Sequence, residues 1–329
     1  MSLTFDSPEF DCALRAVREA AALCQQVRAA LVAGSSATKD DRSPVTVADY
    51  GAQALVLQAL HQAFPGDPAV GEEDAGDLRT EAQTELRSKI IRAVQNIHAE
   101  LDEATILAEI DRGGHPGGAS GRFWTLDPID GTKGFLRNDQ YAVALALIVD
   151  GKPVLGVLGC PALPLQSGLT ENGCFFGAVA GQGCRAFGPR GEPLSAISVS
   201  DTQDAATARF CESVESGHSK HDWAAQVAEK LSITEPSVRM DSQCKYAAIA
   251  RGDADIYLRL PTRAGYQEKI WDHAAGALCV TQAGGTVTDI YGKPLDFSQG
   301  RTLVGNEGVV ASNGRFHDAV VAAVQATRA

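Results

Sequence analysis

At 329 residues, 44% of them apolar and 21% charged, the chain is long enough for two lobes and too ordinary in composition to be disordered or fibrous. Its net charge of −12 argues against polymeric nucleic acid as a partner, because a phosphate backbone needs a basic face; a small phosphorylated ligand stays compatible. The opening MSLTFDSPEFD is acidic where a secretory signal is basic, and no apolar run approaches the roughly 20 residues that span a bilayer, so a cytoplasmic protein with no membrane partner is expected.

Ser7-Pro8-Glu9 reads as an N-cap, a first helical residue and an acidic first turn. Phe10, Leu14, Val17, Ala21, Cys24, Val27 and Leu31 follow at helical spacing and Gly34 closes the stripe, which predicts an amphipathic helix. After the polar SSATKDDRSP a second helix is predicted from about Val47 to Phe64, stopped by Pro65-Gly66. Asp77–Gly118 reads as helices and a surface loop. From Arg122 the texture changes to strands: FWTLDPID, YAVALALIVDG, KPVLGVLGCPAL and SGLTENGCFFGAVA. Asp150-Gly151 and Asn172-Gly173 are hairpin signals, so the sheet is expected to be antiparallel. Gly181–Ala186 has the GxGxxA spacing of dinucleotide binders, but Gly188-Pro189-Arg190-Gly191 follows and leaves no helix to open; a hairpin turn is predicted there instead. Beyond Pro193, the strands RFCESVE, SVRMDS and ADIYLRL alternate with helical patterns at His221–Leu231 and Lys245–Arg251. The expected division is an α+β lobe over residues 1–195 and an α/β lobe over 196–329, with a cleft between them. Eight cysteines form no CxxC pair and read as reduced thiols, with a Cys174–Cys184 disulfide across a hairpin left open.

The chemistry concentrates in TLDPIDGT, Thr125–Thr132. Pro128 pushes Asp127 toward extended backbone, and Gly131 permits a tight turn. Asp127 and Asp130 then converge beside the Ile129 carbonyl, offering the oxygen ligands that Mg²⁺ prefers. Thr132 would open a helix whose free N–H groups favour an anion. The same residues also suit an Asx turn and a helix cap. Other carboxylates stand in comparable settings: Glu72 in GEED, Asp49 near the start of the second helix, and Asp272 in WDHAAG at the start of a helix. Singly, these read as an acidic turn, a Thr46–Asp49 capping box and an N-cap. No GxSxG elbow marks a serine hydrolase.

In their order along the chain, VTVADYGAQ, VGEE, WTLDPIDGTKGF and WDHAAG resemble the lithium-sensitive, magnesium-dependent phosphatases related to inositol monophosphatase and fructose 1,6-bisphosphatase. DGTKGFLRNDQYAVALALIVDGKPVLGVLGCP, CESVESGHSKHD, DSQCKYAAIARGDADIYLRLP and GTVTDIYGKPLDF are similar to one branch of them, the 3′(2′),5′-bisphosphate nucleotidases, and the likeness runs from about Lys39 to Asn306. The resemblance implies a layered αβαβα sandwich, of mixed α+β and α/β character. It implies two or three Mg²⁺ ions held by Glu72, Asp127, Asp130, Asp272 and the Ile129 carbonyl. Asp49 and Thr132 would activate or orient a water, with no covalent phospho-enzyme. Thr132, Asp272, Ser242, Lys245, Arg259 and His218 would contact the substrate; without the resemblance, Lys245, Arg259 and His218 read as exposed helix, edge-strand and loop residues. Gly265–Lys269 is a candidate cover for the adenine. The implied reaction is hydrolysis of the 3′-phosphate of adenosine 3′,5′-bisphosphate to AMP and phosphate by a monomer, with 3′-phosphoadenylyl sulfate as a second substrate and Li⁺ and Na⁺ as inhibitors. The alternative is the same metal chemistry on an inositol polyphosphate such as inositol 1,4-bisphosphate.

Overall fold

The stripe that begins at Phe10 forms helix α1 (Pro8–Ala33), with Phe10, Val17, Ala21 and Cys24 buried. A computed structural model describes residues 3–33, 43–165, 172–214, 221–263 and 265–328 of the chain. Helix α2 (Ser43–Ala63) starts earlier than the sequence suggests, so Thr46 lies inside it and does not cap it. A proline is acceptable in a first turn, where its missing N–H has no partner to lose, and Pro44 therefore did not delay the helix. Strand β1 (Ala69–Gly71) and helices α3 (Thr84–Gln95) and α4 (Glu103–Asp111) follow, the last capped by Asp102, whose carboxylate accepts from Thr105 N at 2.8 Å.

Next come β2 (Arg122–Asp130), the short helix α5 (Thr132–Arg137), β3 (Ala142–Val149), β4 (Lys152–Pro164), β5 (Asn172–Val179), β6 (Gly183–Phe187) and β7 (Pro193–Ile197). The seven strands form one sheet in sequential order, β1 parallel to β2 and the others antiparallel. Asp150 (φ 48°) and Gly151 (φ 72°) make the predicted tight hairpin between β3 and β4. Gly181 and Gly183 make the next turn, between β5 and β6. Asn172-Gly173 departs from expectation: both residues belong to β5, and Asn172 stands opposite Pro164 beside a register shift. The positive φ of Gly173, 108°, serves this irregularity rather than a turn. Cys174 pairs in register with Cys160 and Cys184 with Ala178, so the disulfide left open for Cys174 and Cys184 is not made; all eight cysteines are buried free thiols. Strand β7 runs through residue 195 to Ile197.

The rest of the chain runs β8 (Phe210–Glu212), α6 (His221–Lys230), β9 (Val238–Arg239), α7 (Cys244–Ala250), β10 (Ile256–Arg259), α8 (Ala274–Gln282), β11 (Thr286–Thr288), β12 (Val309–Ser312) and α9 (His317–Ala326). Its sheet has the order β11-β12-β10-β8-β9. Among the described residues, no helix is long and apolar enough to cross a membrane.

Strand alternation assigns the layers. On β3, Val143, Leu145 and Leu147 join the core beneath α1 and α2, while Ala142, Ala144, Ala146 and Ile148 join a second core with α7 and α8. On the second sheet, Tyr257, Val309 and Ala311 face that same central core, whereas Ile256, Leu258 and Val310 pack with α6 and α9. The result is five layers, α1/α2, sheet, α7/α8, sheet, α6/α9: the αβαβα sandwich expected from the sequence.

Small residues let the central helices approach closely. A Cβ on Gly156 of β4 would lie 3.1 Å from Ala275 Cα, and one on Gly276 of α8 would lie 2.2 Å from the Tyr246 ring. Tyr246 cannot swing away, because its hydroxyl is bonded to His273 Nδ1 at 2.7 Å. Gly276→Ala should therefore destabilise the fold by about 1–3 kcal/mol despite the gain in helix propensity. The expected reading is a lowered urea midpoint at unchanged slope; a wild-type midpoint would mean that α7 and α8 repack freely.

Candidate active site

Residues three apart on a regular strand point to opposite faces. On β2, however, Asp127 pairs with Ala144 and Asp130 with Ala142, so one extra residue is accommodated around Pro128-Ile129. Pro128 suits the position, having no N–H to leave unpaired. The bulge turns Asp130 to the face that already carries Asp127, the face covered by α7 and α8. Ile129 keeps its side chain in the α1/α2 core yet lines the cleft, which leaves its backbone turned to the site. Gly131 (φ 91°) then turns the chain into α5, and a Cβ there would come within 2.8 Å of Ser242 Cβ.

The other carboxylates arrive from separate elements. Glu72 follows β1 directly, and its neighbour Glu73 is held on both sides by the fully buried Gln53 of α2. The Gln53 amide donates to Glu73 O at 2.7 Å and to Ile110 O at 2.8 Å, while its oxygen accepts from Glu73 N at 3.1 Å. Asp272 precedes α8, whose N-cap is His273, so Asp272 is not a cap. Its Oδ2 instead receives Arg259 Nη2 at 3.1 Å, and Arg259 Nε reaches Glu268 Oε2 at 2.8 Å. Arg259 is therefore not an edge-strand charge: β10 lies between β12 and β8.

One cleft of about 490 Å³ gathers Glu72, Asp127, Ile129, Asp130, Thr132, Ser242, Lys245, Arg259 and Asp272. Thr132 is exposed at its edge, on the first residue of α5. Lys245 is buried, not an exposed helix residue, with Nζ 5.2 Å from the Tyr257 ring centre; burial pushes its pKa down. Ser242 holds a left-handed φ of 67°, and its hydroxyl accepts from Cys244 N at 3.2 Å. Asp49 does not line the cleft; it is buried on α2, near enough to feel the charges of Glu73 and Glu72. His218 lies outside the described residues.

Sequence reasoning missed Gln243, whose N–H donates to Asp130 Oδ2 at 2.5 Å while its side chain bridges Trp271 O and Gly276 N. It also missed Gln53, although that residue lies one helical turn from Asp49 on the same face of α2. An amide carries no chemical signature of its own, so nothing in a single chain marks either residue.

The site is short of positive charge. Asp127 is raised well above the ordinary carboxylate range, first by burial and then by Glu72, Asp130, Asp272 and Asp49. Asp49 is raised by burial and by Glu73 and Glu72. Asp130 is raised by burial and Asp272 against the opposing pull of Lys245 and Arg259. Glu72 is pushed from 4.5 to about 8 by burial, Asp272, Glu73 and Asp130. Asp127 Oδ1 is buried without a hydrogen-bond partner. Converging carboxylates with an orphaned oxygen fit a divalent cation with a preference for oxygen ligands, such as Mg²⁺. A tighter group, Glu268, Asp272 and His273, brings ligand atoms within 4.8 Å of one another. Glu268 is already engaged by Arg259 and by His273 Nε2 at 3.1 Å, and His273 by Tyr246, so this group orients Asp272 rather than forming an ion site of its own.

The raised carboxylates predict a pH effect of definite sign. A carboxyl held above its unfolded pKa makes the folded state bind more protons, so its stabilising contribution is present below the unfolded pKa and is lost as pH rises. For Glu72 the window runs from 4.5 to about 8. Metal-free protein should melt at progressively lower temperature across that window, and Mg²⁺ should remove most of the decline. A melting temperature independent of both pH and Mg²⁺ would contradict this account.

Comparison with known proteins agrees with this geometry. A family model described as the inositol monophosphatase family matches residues 6–329. Among curated proteins, the chain is 46% identical to a 3′(2′),5′-bisphosphate nucleotidase of Schizosaccharomyces pombe, over 98% of this chain and 96% of that one. It is 48% identical to one from Emericella nidulans, over 94% and 95%. Among solved structures, the Thermotoga maritima IMPase superposes with a TM-score of 0.64 at 20% identity, covering 98% of each chain, a likeness of fold. The chain belongs to the inositol monophosphatase family.

Proposed function

We propose that this chain is a 3′(2′),5′-bisphosphate nucleotidase that hydrolyses the 3′-phosphate of adenosine 3′,5′-bisphosphate to AMP and phosphate, and takes 3′-phosphoadenylyl sulfate as well. The observation that carries this reading is the union, in one cleft, of the bulge-aligned Asp127 and Asp130 with Glu72, Asp272 and the buried cation Lys245. The names of relatives at 46% and 48% identity over nearly the whole chain support the same reading.

In this proposal, Glu72, Asp127, Asp130, Asp272 and the Ile129 carbonyl hold two or three Mg²⁺ ions. The chemistry these supply when bound is polarisation of the phosphate and a lowered pKa for water. Thr132 Oγ1, on the rim of the cleft, orients the attacking water and passes its proton toward the Asp49 carboxylate, whose burial suits it to hold a proton. Lys245 and Ser242 meet the 5′-phosphate, and burial makes the single charge of Lys245 count strongly. Arg259 serves two ends: its fork holds Asp272 and Glu268, and its place in the lining of the cleft puts it beside the nucleotide. Residues 1–195 act as the lobe that carries most metal ligands, and residues 196–329 as the lobe that reads the nucleotide, with His218 among its contacts. Li⁺ and Na⁺ inhibit by occupying a Mg²⁺ position.

Phosphate release from adenosine 3′,5′-bisphosphate, side by side with inositol 1,4-bisphosphate, tests the reading. Rapid Mg²⁺-dependent turnover of the nucleotide, suppressed by Li⁺, is expected. Preference for the inositol phosphate would overturn the roles of Ser242, Lys245 and Arg259, and hydrolysis of neither would overturn the enzyme itself.

Point substitutions separate the roles. Lys245→Gln should raise KM for the nucleotide about tenfold or more, the loss of one charged hydrogen bond, with Mg²⁺ affinity retained. Thr132→Ala should lower kcat with little change in KM. An unchanged KM in the first or an unchanged kcat in the second would remove that residue from its assigned role.

A further inference from the structure

The two banks of the cleft are joined by a residue that does not line it. Arg301 lies in the connection between β11 and β12, and its own backbone belongs to the Asp272 bank. Ile270 N donates to Arg301 O at 3.2 Å, Leu303 N donates to Glu268 O at 2.8 Å, and Lys269 pairs with Thr302 as an isolated bridge. Its side chain crosses to the other bank. Nη2 donates to Gly71 O at 2.5 Å, and Nη1 donates to Gly113 O at 3.0 Å and His115 O at 3.1 Å. On the near side the guanidinium lies 4.9 Å from the centre of the Trp271 ring.

The sequence neighbours of these contacts make them consequential. Gly71 is the residue before Glu72, and Trp271 is the residue before Asp272. Glu72 is thus bracketed, with the Gly71 carbonyl held by Arg301 and the Glu73 peptide groups held by Gln53. The packing leaves little slack: Gly71 N donates to Gly113 O at 2.9 Å, and a Cβ on Gly113 would come within 3.0 Å of Gly71 Cα. A second close approach, with a Cβ on Gly117 falling 2.9 Å from the Gly300 carbonyl carbon, seats the 300–303 segment against the same loop. A planar guanidinium delivers donors in fixed directions while one face stays free to stack, which an ammonium cannot do.

We propose that Arg301 is a positioning residue for the metal site: it sets the separation between Glu72 and Asp272 by tying the peptide before one to the ring before the other. The proposal rests on the reading of Glu72 and Asp272 as metal ligands. It goes beyond that reading in giving a residue outside the cleft control over how well the two banks match an ion.

The test is calorimetric titration of Mg²⁺ into metal-free protein, with the Mg²⁺-induced rise in melting temperature as a second readout. Arg301→Gln should weaken Mg²⁺ binding by about tenfold or more, the range for partners that orient metal ligands. Arg301→Lys should restore only part of it. Arg122→Gln serves as the control for stability alone, since Arg122 pairs with Asp67 and Glu9 away from the cleft; it should lower the melting temperature and leave the Mg²⁺ affinity unchanged. Should Arg301→Gln not fold, Arg301→Lys carries the test, and a wild-type affinity in it overturns the proposal. Glu72→Gln separates the two levels. If Glu72→Gln weakens Mg²⁺ binding and folded Arg301→Gln does not, the positioning role falls while the metal reading stands. If Glu72→Gln itself binds Mg²⁺ as the wild type does, the metal reading falls and the proposal with it.

Discussion

The alternation of side chains along a strand would send Asp127 and Asp130 to opposite sides of the first sheet, one toward α1 and α2 and the other toward α7 and α8. The bulge around Pro128-Ile129 cancels that alternation for one step, and the rest of the site depends on it. Two carboxylates at the end of a buried strand now share the face on which the second half of the chain can reach them. The Gly131 turn completes the device by bringing the start of α5 against Ser242. Proline, bulge and glycine have distinct local reasons, but they act together on the direction of a single side chain.

Once the acidic groups converge, electrostatics governs what surrounds them. Gathered carboxylates raise one another's pKa, and burial strengthens the effect. The protein supplies only partial relief: the Gln243 amide and Lys245 for Asp130, and Arg259 for Asp272. The imbalance that remains is suited to an oxygen-seeking cation. Arg259 belongs to the same logic, since, shared between Glu268 and Asp272, it holds Asp272 in place without cancelling the charge of the whole cleft.

The five-layer packing makes such a cleft possible. Alanine and glycine on the inner faces let α7 and α8 lie close to both sheets, so that residues far apart in the chain meet at short range. The same closeness makes hydrogen bonds across the core decisive. Gln53 and Arg301 clamp the peptides on either side of Glu72, and Gln243 ties the start of α7 to the segment that carries Asp272.

Much of the fold was legible in the sequence, because amphipathic stripes and Asp-Gly turns report local constraints. The α1 stripe from Phe10 to Leu31 and the Asp150-Gly151 hairpin behaved as read, while Gly34, the expected stop of α1, lies outside the described residues. The start of α2 and the role of Asn172-Gly173 did not, since a proline is tolerated in a first turn and a positive φ serves a bulge as well as a hairpin. By itself the sequence determined the layered architecture and the family, because motifs in a fixed order along a chain can be matched without any tertiary contact, and it offered the carboxylates as candidate ligands. Only the tertiary structure decided that Lys245 is buried, that Arg259 is bound to Glu268 and Asp272, and that Gln53, Gln243 and Arg301 hold the site together. These residues act through contacts with segments as far as 230 positions away, and a contact at that range leaves no local pattern in a single chain.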